Sequence, residues 1–204
     1  MLINLRNALM TGKRLPYDAE VEYIESTGTQ YIDTGFTVEG ISLMRVDFQY
    51  TSFTAPDGIA TQNGVIRQVS GSRYNQFVYC LQNGKFQMYV GTSAYTLFTL
   101  TQDLNRHIAE FDIASRRYSI DSTSRSVTLD KNFNNRHIYL FARNNNNTAQ
   151  HYAPERIFAV RFVEVNGVEH QLVPVRLNNG GYLYDPISDQ LIGQGNLVPG
   201  PDTN

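Results

Sequence analysis

Glu110 and Asp112 stand two residues apart in Ala109-Glu-Phe-Asp-Ile113, where apolar and acidic residues alternate. Residues two apart on a strand share a face, so these carboxylates would project side by side. Two carboxyl groups about 5 Å apart equip retaining glycoside hydrolysis, one as nucleophile and the other as acid and base. The same alternation is what a solvated strand face produces, so the pair alone assigns no catalysis. His107, His137, His151 and His170 include no i,i+4 or His-x-His pair, and no metal site is expected from them. Cys80, the single cysteine, lies in the apolar run Phe77-Val-Tyr-Cys-Leu81 and reads as a small buried residue rather than a nucleophile. Neither a glycine-rich phosphate loop nor a nucleophile elbow occurs.

Carbohydrate recognition calls for an aromatic platform beside planar polar side chains. The chain has no tryptophan, which leaves Tyr74, Tyr79, Tyr89, Tyr95 and Tyr152 to supply the platform. Arg73, Tyr74 and Asn75, in the polar run Ser70–Gln76, and Tyr152, just after an asparagine run, form the expected glycan-binding set. Tyr74 and Tyr152 lie in loop-like, polar surroundings, and these tyrosines read equally well as ordinary exposed residues.

The elements that must position these groups are short strands. In Met44-Arg-Val-Asp-Phe-Gln-Tyr50 apolar and polar residues alternate strictly. Phe77–Leu81 and Phe86–Val90 flank Asn83-Gly84, and Ile157–Val165 and Val168–Leu177 flank Asn166-Gly167, both hairpin signals. His137–Ala142 is apolar on both sides, as a central strand would be, and Asn144–Asn147 reads as a loop. Ten or more such strands without a long helical pattern imply a two-sheet sandwich.

At 204 residues one all-β domain accounts for residues 17–204. Residues 1–16 differ. Leu2, Leu5 and Leu9 fall at helical spacing, while Arg6, Lys13 and Arg14 have no acidic partner nearby. A short N-terminal helix or arm is expected there, with Leu2, Leu5, Arg6 and Leu9 as the residues that would dock on a partner. Asn4, Arg6 and Asn7 interrupt the apolar residues, so no secretory signal is expected. A net charge of −2, dispersed along the chain, offers no basic block for nucleic acid, and no apolar run reaches a membrane span.

The segment Glu22-Tyr-Ile-Glu-Ser-Thr-Gly-Thr-Gln-Tyr-Ile-Asp-Thr-Gly-Phe36 resembles the opening strand of concanavalin A-like (laminin G-like) sandwich domains. Such domains occur in surface and phage structural proteins of gut bacteria. A second block is similar to the family's last strands: Glu155–Phe162, Leu172–Arg176 and Gly181-Tyr-Leu-Tyr-Asp185. The resemblance spans about Tyr17 to about Gly200 and implies an all-β, two-sheet antiparallel jelly roll. Glucanases of this fold carry Glu-x-Asp followed by a second Glu. Glu110 and Asp112 match the first two positions, but Ala114 and Ser115 stand where the last carboxylate belongs, which implies a non-catalytic chain. Relatives often hold calcium at the sheet rim, and Asp57, Asp103, Asp121 and Asn144–Asn147 offer oxygen donors, although no spacing selects among them and no cofactor is expected. The resemblance further implies a homo-oligomeric virion structural or decoration protein on a capsid, head fibre or tail, with other virion proteins and surface glycans as partners. The alternative it leaves is a carbohydrate-binding module or adhesin at a bacterial surface.

Overall fold

In Met44–Tyr50 the alternation is realised as a strand that buries Met44, Val46, Phe48 and Tyr50 and turns Arg45 outward. The computed structural model describes residues 15–54, 60–70, 73–92 and 96–203, and every regular element among them is a β-strand. In chain order these are β1 (Ala19–Glu20), β2 (Ile24–Thr27), β3 (Ile32–Thr37), β4 (Ile41–Tyr50), β5 (Ala60–Ser70) and β6 (Arg73–Gln82). There follow β7 (Lys85–Gly91), β8 (Thr96–Thr101), β9 (His107–Asp112), β10 (Arg117–Ile120), β11 (Thr123–Ser126) and β12 (His137–Leu140). The last are β13 (Arg143–Asn145), β14 (Thr148–Gln150), β15 (Pro154–Glu164), β16 (Glu169–Leu177), β17 (Gly180–Asp185) and β18 (Gln190–Pro199).

These strands form two sheets in a sandwich. A ten-stranded sheet has the order β1-β16-β17-β18-β2-β15-β4-β9-β10-β11. An eight-stranded sheet runs β14-β13-β5-β6-β7-β8, with β12 paired to β5 and to β3. Pairing is antiparallel apart from β13 on β5. The core lies between the sheets, where Phe77 meets Phe111 at a ring separation of 4.2 Å and Phe48 meets Tyr79 at 4.7 Å. Each fully buried side chain of this size stabilises the fold by roughly 1.5–3 kcal/mol before chain entropy is counted.

Both hairpin signals are observed, with Asn83 at φ 52° and Gly167 at φ 89°. The opening segment departs from expectation: it is two strands, not one. Gln30 turns its amide oxygen onto Thr27 N (3.0 Å) and Ser26 Oγ (3.1 Å), closing a bend. The bend carries the chain from β2, in the ten-stranded sheet, to β3, paired with β12. The strand expected over His137–Ala142 ends at Leu140, because Phe141 takes φ 63°, a left-handed conformation costly for an aromatic residue. The asparagine run is not all loop. Asn144 and Asn145 belong to β13, and Asn146 and Asn147 (φ 55° and 62°) make the turn into β14.

No helix occurs among the described residues. The helix or arm expected over 1–16, with Leu2, Leu5, Arg6 and Leu9, lies outside them apart from Leu15 and Pro16. Leu15 packs on Tyr17, Val173, Val175 and Tyr184, a small cluster on the ten-stranded sheet.

Candidate functional site

The outer face of the eight-stranded sheet collects planar polar and aromatic side chains over an apolar floor. Alternation along β6 sends Phe77, Tyr79 and Leu81 into the core and Tyr74, Gln76, Val78, Cys80 and Gln82 outward. Register then sets Gln62 beside Cys80, Cys80 beside Gln87 and Val78 beside Tyr89. Ile66, Val78 and Cys80 form the floor at 2 % exposure or less, with Tyr74 and Tyr89 packed over it. Burial pushes the Cys80 thiol far up, which keeps it protonated and unreactive. At the β13 side Arg143 Nη1 donates to Gln62 Oε1 (2.7 Å) and Nη2 to Gln150 Oε1 (3.0 Å). At the β7 side the Tyr89 hydroxyl donates to Gln82 Oε1 (3.0 Å) and lies against the Gln87 amide oxygen. Two short hydrogen-bonded groups thus flank an apolar floor and fix the orientation of three amides, Gln62, Gln150 and Gln82.

The expected glycan set is only partly brought together. Tyr74 is on this face, though in a strand rather than a loop. Arg73 is described only as backbone, at the first position of β6. Asn75 is fully buried and points the other way, its Nδ2 donating to the carbonyls of Asp130 and Asn132. Tyr152 packs edge-on to Tyr31 at a ring separation of 6.3 Å. The carbonyl of its neighbour His151 accepts from Gln62 N, whereas Tyr74 pairs with Gln68. Six residues of β5 therefore separate the two tyrosines, about 20 Å at strand rise. Tyr79 faces the core and Tyr95 lies outside the described residues. Sequence reasoning missed the glutamines. Their signal is their recurrence on neighbouring strands, Gln62 on β5, Gln76 and Gln82 on β6, and Gln87 on β7.

Across the sandwich, the outer face of the ten-stranded sheet is a lattice of ion pairs. Glu110 pairs with Arg45 across β9 and β4 (3.1 Å), Asp47 with Arg106 (2.5 and 2.6 Å), and Glu169 with Arg161 (2.9 and 2.8 Å). Asp112 ends β9 and accepts from Ser115 N (2.9 Å), so the chain turns where a third carboxylate would continue the strand. A bulge in β15 between Ile157 and Ala159 opens a recess of about 210 Å³ beside Arg45 and Arg161. Its charged lining residues Arg45, Asp47 and Arg161 are already paired with Glu110, Arg106 and Glu169, so it is less equipped for a ligand than the amide face.

Two histidines are buried between pairs of carboxylates. His107 sits between Asp121 (Nδ1, 2.7 Å) and Asp103 (Nε2, 2.9 Å), and His170 between Asp185 (Nδ1, 2.8 Å) and Glu164 (Nε2, 3.0 Å). Burial alone would lower both pKa values, but the paired carboxylates outweigh it and raise them. Both ring nitrogens are engaged, so neither imidazole is left to act as a base. Among the described residues no group of three or more His, Cys, Asp or Glu could hold a metal ion. Asp103 and Asp121 are the His107 clamp, Asn144 binds His137 O and Asn147 N, and Asp57 lies outside the described residues. A histidine with a raised pKa contributes its ion pairing in full below about pH 6.5 and loses it as pH climbs through the raised value. His170→Gln is therefore expected to cost about 2 kcal/mol near pH 6 and clearly less near pH 9, measured by urea unfolding at both.

Beneath the amide face, Glu155 of β15 is fully buried between the sheets. Its oxygens accept from Asn63 Nδ2 (2.8 Å) and the Tyr79 hydroxyl (2.9 Å). Burial pushes its pKa up to about 8, against the pull of those two hydrogen bonds. Asn63 Oδ1 in turn accepts from the backbone N–H of the left-handed Phe141, two residues before Arg143. The buried carboxyl thus braces the kink that delivers β13 and Arg143 to the face. Comparison with protein-family models, curated proteins and solved structures finds no match to this chain.

Proposed function

We propose that the chain is a non-catalytic concanavalin A-like jelly roll that binds glycans on the outer face of its eight-stranded sheet. The observation that carries this reading is the face itself: Tyr74 and Tyr89 over an apolar floor, ringed by amides held in place by Arg143 and Tyr89. Sugars present apolar C–H faces and hydroxyl edges, and flat aromatic and amide groups match both. Ala114 and Ser115 at the position of the family's last carboxylate support the absence of hydrolysis. Attachment to a virion, or to a bacterial surface, through residues 1–16 extends the reading. Leu15 packs on the other sheet, so a carrier joined there leaves the amide face pointing away. The test is a glycan array probed with the full chain. Tyr74→Ala and Tyr89→Ala are each expected to weaken the best ligand by about tenfold or more, as loss of a central aromatic contact does. An array without hits, or hits indifferent to both variants in folded protein, would sink the reading.

A further inference from the structure

The strands that build the amide face contain no acidic residue. Along β14-β13-β5-β6-β7-β8 the charged positions are Arg67, Arg73, Lys85 and Arg143, all basic. No Asp or Glu occurs from Gly58 to Gln102 or from Lys131 to Pro154, although an even spread of the 19 acids would place about six there. Most acids lie instead in the ten-stranded sheet and its loops, with Glu25, Asp47, Glu110, Asp112 and Glu169 on or beside its outer surface, while Asp33 of β3, beyond β12 in the eight-stranded sheet, is paired with His137 (2.8 Å). A net charge of −2 therefore conceals a run of six neighbouring strands that carries basic residues and no acid. Asp57, just before β5, lies outside the described residues.

Amide orientation gives a second, independent indication. Gln62 and Gln150 turn their oxygens to Arg143, and Gln82 turns its oxygen to the Tyr89 hydroxyl. A carboxamide with its oxygen so engaged has its NH2 as the remaining hydrogen-bonding end, and NH2 only donates. The face thus offers donors and excludes fixed negative charge. A neutral sugar, whose hydroxyls both donate and accept, needs neither property, whereas a carboxylate or sulfate ester needs both.

We infer that the ligand of this face is an anionic glycan, bearing carboxylate or sulfate groups. The inference rests on the face being a glycan site. Matched polymers separate the two: polygalacturonate against its full methyl ester for carboxylate, and dextran sulfate against dextran for sulfate. Binding of the full chain is measured by biolayer interferometry at low and raised ionic strength. The expected result is at least about tenfold tighter binding of one or both charged members, weakening with salt. Gln76→Glu combined with Gln82→Glu adds two charges without changing shape and is expected to reverse that preference while leaving the thermal midpoint near that of the parent. Equal binding of charged and neutral members, or preference for the neutral one, overturns the inference and leaves the glycan site standing. Binding that survives Tyr74→Ala and Tyr89→Ala unchanged, or no binding to any of the four polymers or to the array, overturns both.

Discussion

Replacing Gly64 by alanine is expected to prevent the sandwich from folding, or to leave it at least about 4 kcal/mol less stable. Gly64 lies in the middle of β5 at φ 128°, a backbone conformation that side chains rarely tolerate. A Cβ built there would stand 2.0 Å from the carbonyl oxygen of Phe77 and 3.1 Å from Val78 Cα. Both obstacles are backbone of β6, which is paired on its other side to β7, so they cannot swing away as a side-chain tip would. Gly64 also pairs with Tyr139 of β12, Arg143 of β13 and Val78 of β6. Relief at Gly64 would therefore have to break registers on both flanks of the sheet. Circular dichroism and urea unfolding of Gly64→Ala check this, with Gly167→Ala as the control. Gly167 also has positive φ, but a Cβ added to it would meet nothing within 4 Å, and its cost should be about 1 kcal/mol. Equal stability of the two variants would show that β5 and β6 can separate locally.

Gly64 also marks where the sequence stops being legible. Asn83-Gly84 and Asn166-Gly167 are turns because polar hairpin tips leave their φ > 0 geometry free to form. Asn63-Gly64 is the same dipeptide in mid-strand. What separates the cases is distant in the chain: Asn63 is held by Glu155 and Phe141, which arrive 92 and 78 residues later. Strand alternation needs only local information, and Met44–Tyr50, Phe86–Val90 and Ala109–Asp112 were readable from it. The split of Glu22–Phe36 between sheets was not, since the bend at Gln30 is set by one side chain accepting from its own neighbours. The face was half legible. Tyr74 and Tyr89 stood out by type, but only β5-β6-β7 register excludes Asn75 and Tyr79 and admits Gln62, Gln82 and Gln87. The roles of His107 and His170 were illegible for the same reason, since Asp121 and Asp185 reach them from the following turn and strand end.

Glu155→Gln is expected to make the protein more stable at alkaline pH and to remove much of its pH dependence. The pKa of Glu155 rises from 4.5 to about 8 on folding, chiefly because burial disfavours the carboxylate. An acid with a raised folded value keeps its proton in the fold where the unfolded chain has already released it. Its contribution is whole below the unfolded value and falls as pH rises toward about 8, at about 1.4 kcal/mol per pH unit. Several kcal/mol are lost over that window, and above it the anion remains enclosed between Tyr50, Tyr79 and Asn63. Glutamine mimics the neutral acid: its oxygen can accept from Asn63 Nδ2 while its NH2 donates to the Tyr79 oxygen, and it does not titrate. The thermal midpoint of Glu155→Gln should match the parent near pH 5 and exceed it by roughly 10 °C near pH 9. A slope beginning near pH 6.5 should persist in the variant, because above it the unfolded chain releases protons that His107 and His170 still hold in the fold, whatever occupies position 155. Glu155→Ala separates charge from packing: it leaves Asn63 and Tyr79 without their acceptor and should lose about 3 kcal/mol or more at every pH. Parallel midpoint-against-pH curves for the parent and Glu155→Gln would mean that Glu155 titrates normally. The brace under Phe141 would then be an anion stabilised by its two donors rather than a neutral acid.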